Sequence, residues 1–98
     1  MKKERIYISG AISGRLPEDV CEDFERAEAC LWALGWEVVN PLANGLTEAH
    51  TWEEHMRADL RLLLDCDRIA MLPGWARSRG ASLEWRVARE LGMPIIYL

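Results

Sequence analysis

No apolar run in this 98-residue sequence approaches the roughly 20 residues that a bilayer-spanning helix needs. The N-terminus also lacks the long apolar region of a secretory signal, so a cytoplasmic location is expected. Basic residues are in the minority, 12 Lys and Arg against 16 Asp and Glu, for a net charge of -4. That balance argues against a general electrostatic grip on polymeric nucleic acid or on an acidic membrane, and leaves room only for a local basic pocket. Cysteine is scarce. Cys21, Cys30 and Cys66 form no C-x-x-C pair, and their odd number argues against a disulfide framework. His50 and His55 are the only histidines, and at a spacing of five they do not share a helix face as an i,i+4 pair would. Neither a metal site nor another cofactor is expected.

What the chain does contain is a regular alternation of short apolar runs and amphipathic stretches. Arg5 to Ser9 reads as a strand ending at Gly10, followed by the loop Gly10 to Arg15. A helix from about Glu18 carries Val20, Phe24, Ala27, Leu31 and Leu34 as one apolar stripe, closed by Gly35. Trp36 to Asn40 makes a second strand, stopped by Pro41, and Pro41 to Thr51 reads as a loop. A helix from about Trp52 to Leu64 turns Trp52, Met56, Leu60 and Leu63 inward. The third strand, Arg68 to Leu72, leads through a Pro-Gly turn into a helix from about Gly80 to Leu91, with Ala81, Trp85, Ala88 and Leu91 facing the core. Gly92 and Pro94 precede a last strand, I-I-Y-L.

Apolar strands alternating with helices predict a parallel sheet covered on both faces. Right-handed crossovers then favour a single domain with a three-layer α/β/α, flavodoxin-like (Rossmann-like) fold and a four-stranded sheet of order 2-1-3-4. The last strand is a bare hydrophobic edge on a thin core, which predicts a homodimer or larger assembly.

In that topology the loops leaving the first and third strands face one crevice, where ligands of open α/β sheets bind. Tyr7 and Ser9 belong to the first strand. The first loop carries Gly10, Ser13, Gly14 and Arg15; the second carries Trp75, Arg77, Ser78, Arg79 and Gly80. The first loop lacks the full G-x-G-x-x-G fingerprint and resembles no Walker A motif. Glu84 is expected in the last helix's first turn, where an acidic residue can simply complement the helix dipole. The small residues Gly80 and Ala81 before it would also let a ligand approach. Asp59 has two readings as well, a solvated residue beside Arg57 and Arg61 or a carboxylate reaching the crevice. Ser78 can cap the helix or bond a ligand. Trp75 is either a stacking surface for a flat ring or a packing residue.

The order and spacing of I-Y-I-S-G-A-I-S-G, F-E-R-A-E-A-C-L-W-A-L-G-W-E-V-V-N-P, W-E-E-H-M-R-A-D-L, C-D-R-I-A-M-L-P-G-W and S-R-G-A-S-L-E cover nearly the whole chain. They resemble the nucleoside 2-deoxyribosyltransferase-like superfamily, and within it the small phage and bacterial members. The resemblance implies Glu84 as the nucleophile that attacks the anomeric carbon and Asp59 as the group handling the proton of the leaving base. It implies Tyr7 and Gly10 lining the sugar and base site, Ser78 at the 5' end, and Ser13, Gly14 and Arg15 facing a phosphate. The partner would be a small deoxynucleoside or deoxynucleotide. Characterised members continue past the fourth strand and complete the site from a neighbouring subunit, a contribution without a counterpart up to Leu98.

These residue types suit that chemistry. A carboxylate can stabilise and trap the positive charge that develops on the sugar, and a carboxylic acid of raised pKa can protonate the base. Arg15, Arg77 and Arg79 favour a phosphorylated substrate. Two other classes stay open: a nucleotide-binding or regulatory module without turnover, and an interaction protein whose tryptophans meet a partner.

Overall fold

The computed structural model describes residues 3–98. The sheet consists of β1 (Arg5–Ser9), β2 (Glu37–Val39), β3 (Arg68–Met71) and β4 (Ile95–Tyr97), all parallel, in the order β2-β1-β3-β4. Among the described residues, three α-helices connect them: α1 (Pro17–Ala33), α2 (Trp52–Leu64) and α3 (Arg79–Glu90). The predicted strand order and architecture are those observed.

Side-chain alternation along β1 divides the core. Ile6 and Ile8 pack with Val20, Phe24, Ala27 and Leu31 of α1, while Tyr7 turns to the opposite face with Leu63, Ala81 and Ala88 of α2 and α3. The result is α1 on one side of the sheet and α2 with α3 on the other. Because β3 pairs with β1 on the side away from β2, the chain reverses its winding between β1 and β3. The loops leaving those two strands therefore border one crevice.

Helix boundaries have local causes. Pro17 opens α1 at a position where its missing N–H costs nothing, and Thr51 with Glu54 forms a reciprocal capping box at the start of α2. Two predicted core residues are exposed instead: Leu34 and Leu91. Both occupy the C-cap of a helix that ends in a Schellman turn. Trp36 N–H donates to Leu31 and Gly35 N–H to Trp32; Met93 N–H donates to Ala88 and Gly92 N–H to Arg89. Gly35 and Gly92 adopt positive φ there, of 95° and 70°. The turn swings each preceding leucine off the apolar stripe.

The inward stripes of α2 and α3 also differ from the predicted ones. The buried positions are Met56, Asp59 and Leu63 on α2 and Ala81, Glu84 and Ala88 on α3. Leu60 and Trp85 are only half-buried. Each helix thus places a carboxylate where its periodicity calls for an apolar side chain. At the sheet edge, Trp75 stacks on Trp85 with ring centroids 5.1 Å apart, and Tyr97 lies beside them. Among the described residues, no helix is long and apolar enough to cross a membrane.

Candidate functional site

Tyr7 and Ser9 point to the same face of β1 because they are two residues apart. Both reach Glu84. The Tyr7 hydroxyl donates to Oε2 at 2.5 Å and the Ser9 hydroxyl donates to Oε1 at 2.7 Å. Glu84 itself is only 4% exposed. It is not in the first turn of α3, contrary to the sequence expectation. The helix starts at Arg79 with Ser78 as N-cap, so Glu84 stands in the second turn, beyond the orphan amides of the helix start. Local capping by an acidic side chain does not account for it.

The start of α3 is tied to α2 by close approach. A Cβ at Gly80 would sit 3.1 Å from Met56 Sδ, and Ser78 Oγ accepts from Ala81 N–H at 3.2 Å. One turn beyond Met56 on the same stripe is Asp59, 6% exposed, whose Oδ1 accepts from Asn44 Nδ2 at 2.8 Å. Gly10 ends β1 against β3, where an added Cβ would meet Leu72 Cδ1 at 2.7 Å.

These residues border an open cavity of about 740 Å³, within the size range of small-molecule sites. Its walls include Tyr7, Gly10, Ser13, Asp59, Arg77, Ser78, Arg79, Gly80 and Glu84, together with Asn44, Trp52, His55 and Met56. Ser9 lies behind this wall, fully buried, and meets the site through Glu84.

Burial governs the electrostatics. It pushes the Glu84 carboxyl up to about 7, outweighing the hydrogen bonds from Tyr7 and Ser9 that favour the anion; the charge of Asp59 adds to the rise. Burial likewise raises the Asp59 carboxyl, with Asn44 and His55 opposing. The Tyr7 phenol is driven well above its usual range by burial and by Glu84, so it remains a donor. Among the described residues, no lysine or arginine is ion-paired with either carboxylate. Two acids with elevated pKa values on one cavity are a pattern of acid–base and nucleophilic sites.

Besides Ser9, three sequence-predicted residues fall outside the cavity lining. Arg15 donates to Asp23 at 2.5 Å and to the Ala11 carbonyl at 3.1 Å, which turns it along α1 rather than inward. Gly14 forms the exposed turn before it, with φ of 79°. Trp75 takes its packing reading, stacked on Trp85 away from the carboxylates. Arg77 and Arg79 do border the cavity, and the Arg79 guanidinium lies 3.8 Å from the centre of the Trp52 ring.

The segment Pro41–Thr51 is more than the plain loop that its composition predicts. It is internally bonded and supplies Asn44, while His55 of α2 contacts Asn44 through Nδ1 at 3.2 Å and the Thr47 carbonyl through Nε2 at 2.9 Å. The one available signal was the i,i+4 spacing of His55 and Asp59, which puts both on one side of α2. Among the described residues, no group of three His, Cys, Asp or Glu side chains is arranged to hold a metal ion.

Residues 4–97 match a family described as a domain of unknown function, DUF4406. No curated protein matches the chain. Among solved structures, the chain is similar to a 2-deoxyribosyltransferase from the psychrotolerant bacterium Bacillus psychrosaccharolyticus, characterised as a biocatalyst for nucleoside synthesis. The TM-score is 0.72 at 23% identity, over 95% of this chain and 70% of that one. The match over nearly every residue makes this chain a member of the DUF4406 family, with a fold similar to that of the 2-deoxyribosyltransferase structure.

Proposed function

We propose that the protein breaks the N-glycosidic bond of a deoxynucleoside or its 5'-monophosphate, with Glu84 as nucleophile and Asp59 as the proton donor to the base. The observation that carries this reading is the pair of buried carboxylates bordering one cavity, with Glu84 oriented by Tyr7 and Ser9. A carboxylate has about four acceptor positions, so the two hydroxyls leave lone pairs for attack.

In the first step a Glu84 oxygen bonds to C1' of the sugar while the electrons of the C1'–N bond leave with the base. The base nitrogen takes the proton of Asp59. In the second step Asp59, now a carboxylate, accepts a proton from water as the water oxygen displaces Glu84 and frees deoxyribose, or deoxyribose 5-phosphate where the substrate is the monophosphate. A second base can replace water, and the outcome is then transfer. The similar structure belongs to a 2-deoxyribosyltransferase, which favours this bond over others. Arg77 at the rim supports a phosphorylated substrate.

The test is incubation of the purified protein with each deoxynucleoside and deoxynucleoside 5'-monophosphate, with and without a second free base. Base release or exchange is expected for at least one, and its loss in Glu84→Ala. Turnover that persists unchanged in Glu84→Ala would refute the nucleophile.

A further inference from the structure

The cavity owes one wall to a hydrogen-bonded chain that does not touch Glu84. The amide of Asn44 sits at its centre. Leu46 N–H, which can only donate, bonds Asn44 Oδ1 at 2.9 Å. The oxygen of the amide must therefore face Leu46, and Nδ2 must face Asp59 and His55. Its two hydrogens have two acceptors in reach, Asp59 Oδ1 at 2.8 Å and His55 Nδ1 at 3.2 Å. The other end of the chain is equally determined. The Thr47 carbonyl can only accept, so the imidazole nitrogen 2.9 Å away, Nε2, carries a hydrogen. In the neutral ring Nδ1 is then the acceptor that Asn44 requires.

Asp59 has two oxygens with different surroundings. Oδ1 receives the Asn44 hydrogen. Oδ2 has no hydrogen-bond partner among the described residues and is not sealed from solvent, on a residue that borders the cavity. A proton on Oδ1 would take up one of its lone pairs and make it a poorer acceptor for the Asn44 N–H, so that bond favours protonation at Oδ2. We infer that Asn44 is a positioning residue that confines the proton of Asp59 to Oδ2, the oxygen open to the leaving base, and that His55 and Leu46 hold Asn44 in the orientation this needs. The catalytic meaning rests on the proposed function; the positioning itself does not.

Asn44 thus acts through Asp59 and separates the two jobs of a buried acid. One oxygen anchors and the other delivers the proton. Titratable groups facing Asp59 are His55 on its own helix, and Glu84 and Tyr7 across the site.

Two variants distinguish this role from simple support of the loop. Asn44→Ala removes the amide. Asn44→Asp keeps the acceptor for Leu46 but cannot donate to Asp59 once ionised. Carbon-13 carboxyl NMR is expected to show the Asp59 titration midpoint rising by about one pH unit or more in both variants, since each loses the donor that favours the anion. An unchanged midpoint in both would overturn the inference. In the unmodified protein, nitrogen-15 NMR is expected to show neutral His55 protonated at Nε2. A ring protonated at Nδ1 would overturn it without any variant having to fold.

Kinetics adds a third readout. Base release in both variants should lose about tenfold or more in kcat with KM nearly unchanged, and the descending limb of the pH profile should move to higher pH. A rise in KM alone, with that limb unmoved, would contradict positioning. If the unmodified protein releases no base from any substrate, the proposed function fails, and the two NMR measurements still decide the role of Asn44.

Discussion

The Tyr7 hydroxyl and the Glu84 carboxylate, 77 residues apart in sequence, meet at 2.5 Å in the buried wall of the cavity. The contact joins β1, one of the two inner strands, to the second turn of the last helix. It is one of two hydrogen bonds that favour the Glu84 anion against the larger effect of burial. Tyr7→Phe removes it with little change in shape. The Glu84 carboxyl is then expected to titrate above its present value of about 7, read by carbon-13 NMR. If base release is measurable, the ascending limb of its pH profile should move the same way. A midpoint that stays or falls would contradict the assigned hydrogen bond.

Folding stability should carry the same signature. Glu84 titrates at about 7 in the folded protein against an ordinary 4.5, so the folded state holds the proton more tightly. The associated stabilisation is fully present below the ordinary value and is lost as pH rises through 7. At about 1.4 kcal/mol per pH unit it is on the order of 3 kcal/mol. Asp59, also raised, acts in the same direction. Calorimetry is expected to show Tm falling between pH 5 and 7, and Glu84→Gln should flatten that fall. Parallel curves for the two proteins would contradict the burial of an ionisable Glu84.

The arginines divide by what they already bind. Arg15 is engaged with Asp23, both side chains roughly one-third exposed, and a partly solvated pair of this kind contributes little to stability. Arg77 borders the cavity and has no ion-pair partner among the described residues. Arg77→Ala is expected to weaken binding of a deoxynucleoside 5'-monophosphate about tenfold, the scale of one charge-assisted contact, while sparing the nucleoside. Arg15→Ala should affect neither by more than about twofold. Calorimetric titration of both ligands checks this, and equal losses for nucleoside and monophosphate in Arg77→Ala would contradict a phosphate contact.

Gly10 tests the junction that brings the two crevice loops together. An added Cβ meets Leu72 Cδ1 at 2.7 Å and Leu72 Cβ at 3.0 Å. Gly10→Ala is expected to cost about 1–3 kcal/mol through overpacking, measured by urea unfolding. A loss below about 0.5 kcal/mol would mean that the strands part more easily than this packing implies.

Alternation and periodicity were enough to read the strands, the helices and their order, because each element buries a face that its composition marks. What escaped was decided at junctions. Leu34 and Leu91 continue their helical stripes in sequence, yet the glycine after each ends the helix in a turn that exposes them. Gly80 reads as a helix boundary in the sequence and puts Glu84 in a first turn, whereas Ser78 caps the helix earlier. The two carboxylates interrupt the apolar stripes of α2 and α3 at positions 59 and 84, a signal visible in the sequence once the true phase is used. Asn44 had no periodicity to betray it. Its role depends on a loop folding back on α2, which only tertiary contacts reveal.

The decisive measurement is acid quenching of the protein during turnover of a deoxynucleoside or its monophosphate, followed by peptide mass spectrometry. One deoxyribosyl group, carrying the 5-phosphate where the monophosphate is the substrate, is expected on the peptide containing Glu84, bound through its carboxylate, and none in Glu84→Gln. Base release with no adduct on Glu84, and at the same rate in Glu84→Gln, would contradict Glu84 as the nucleophile.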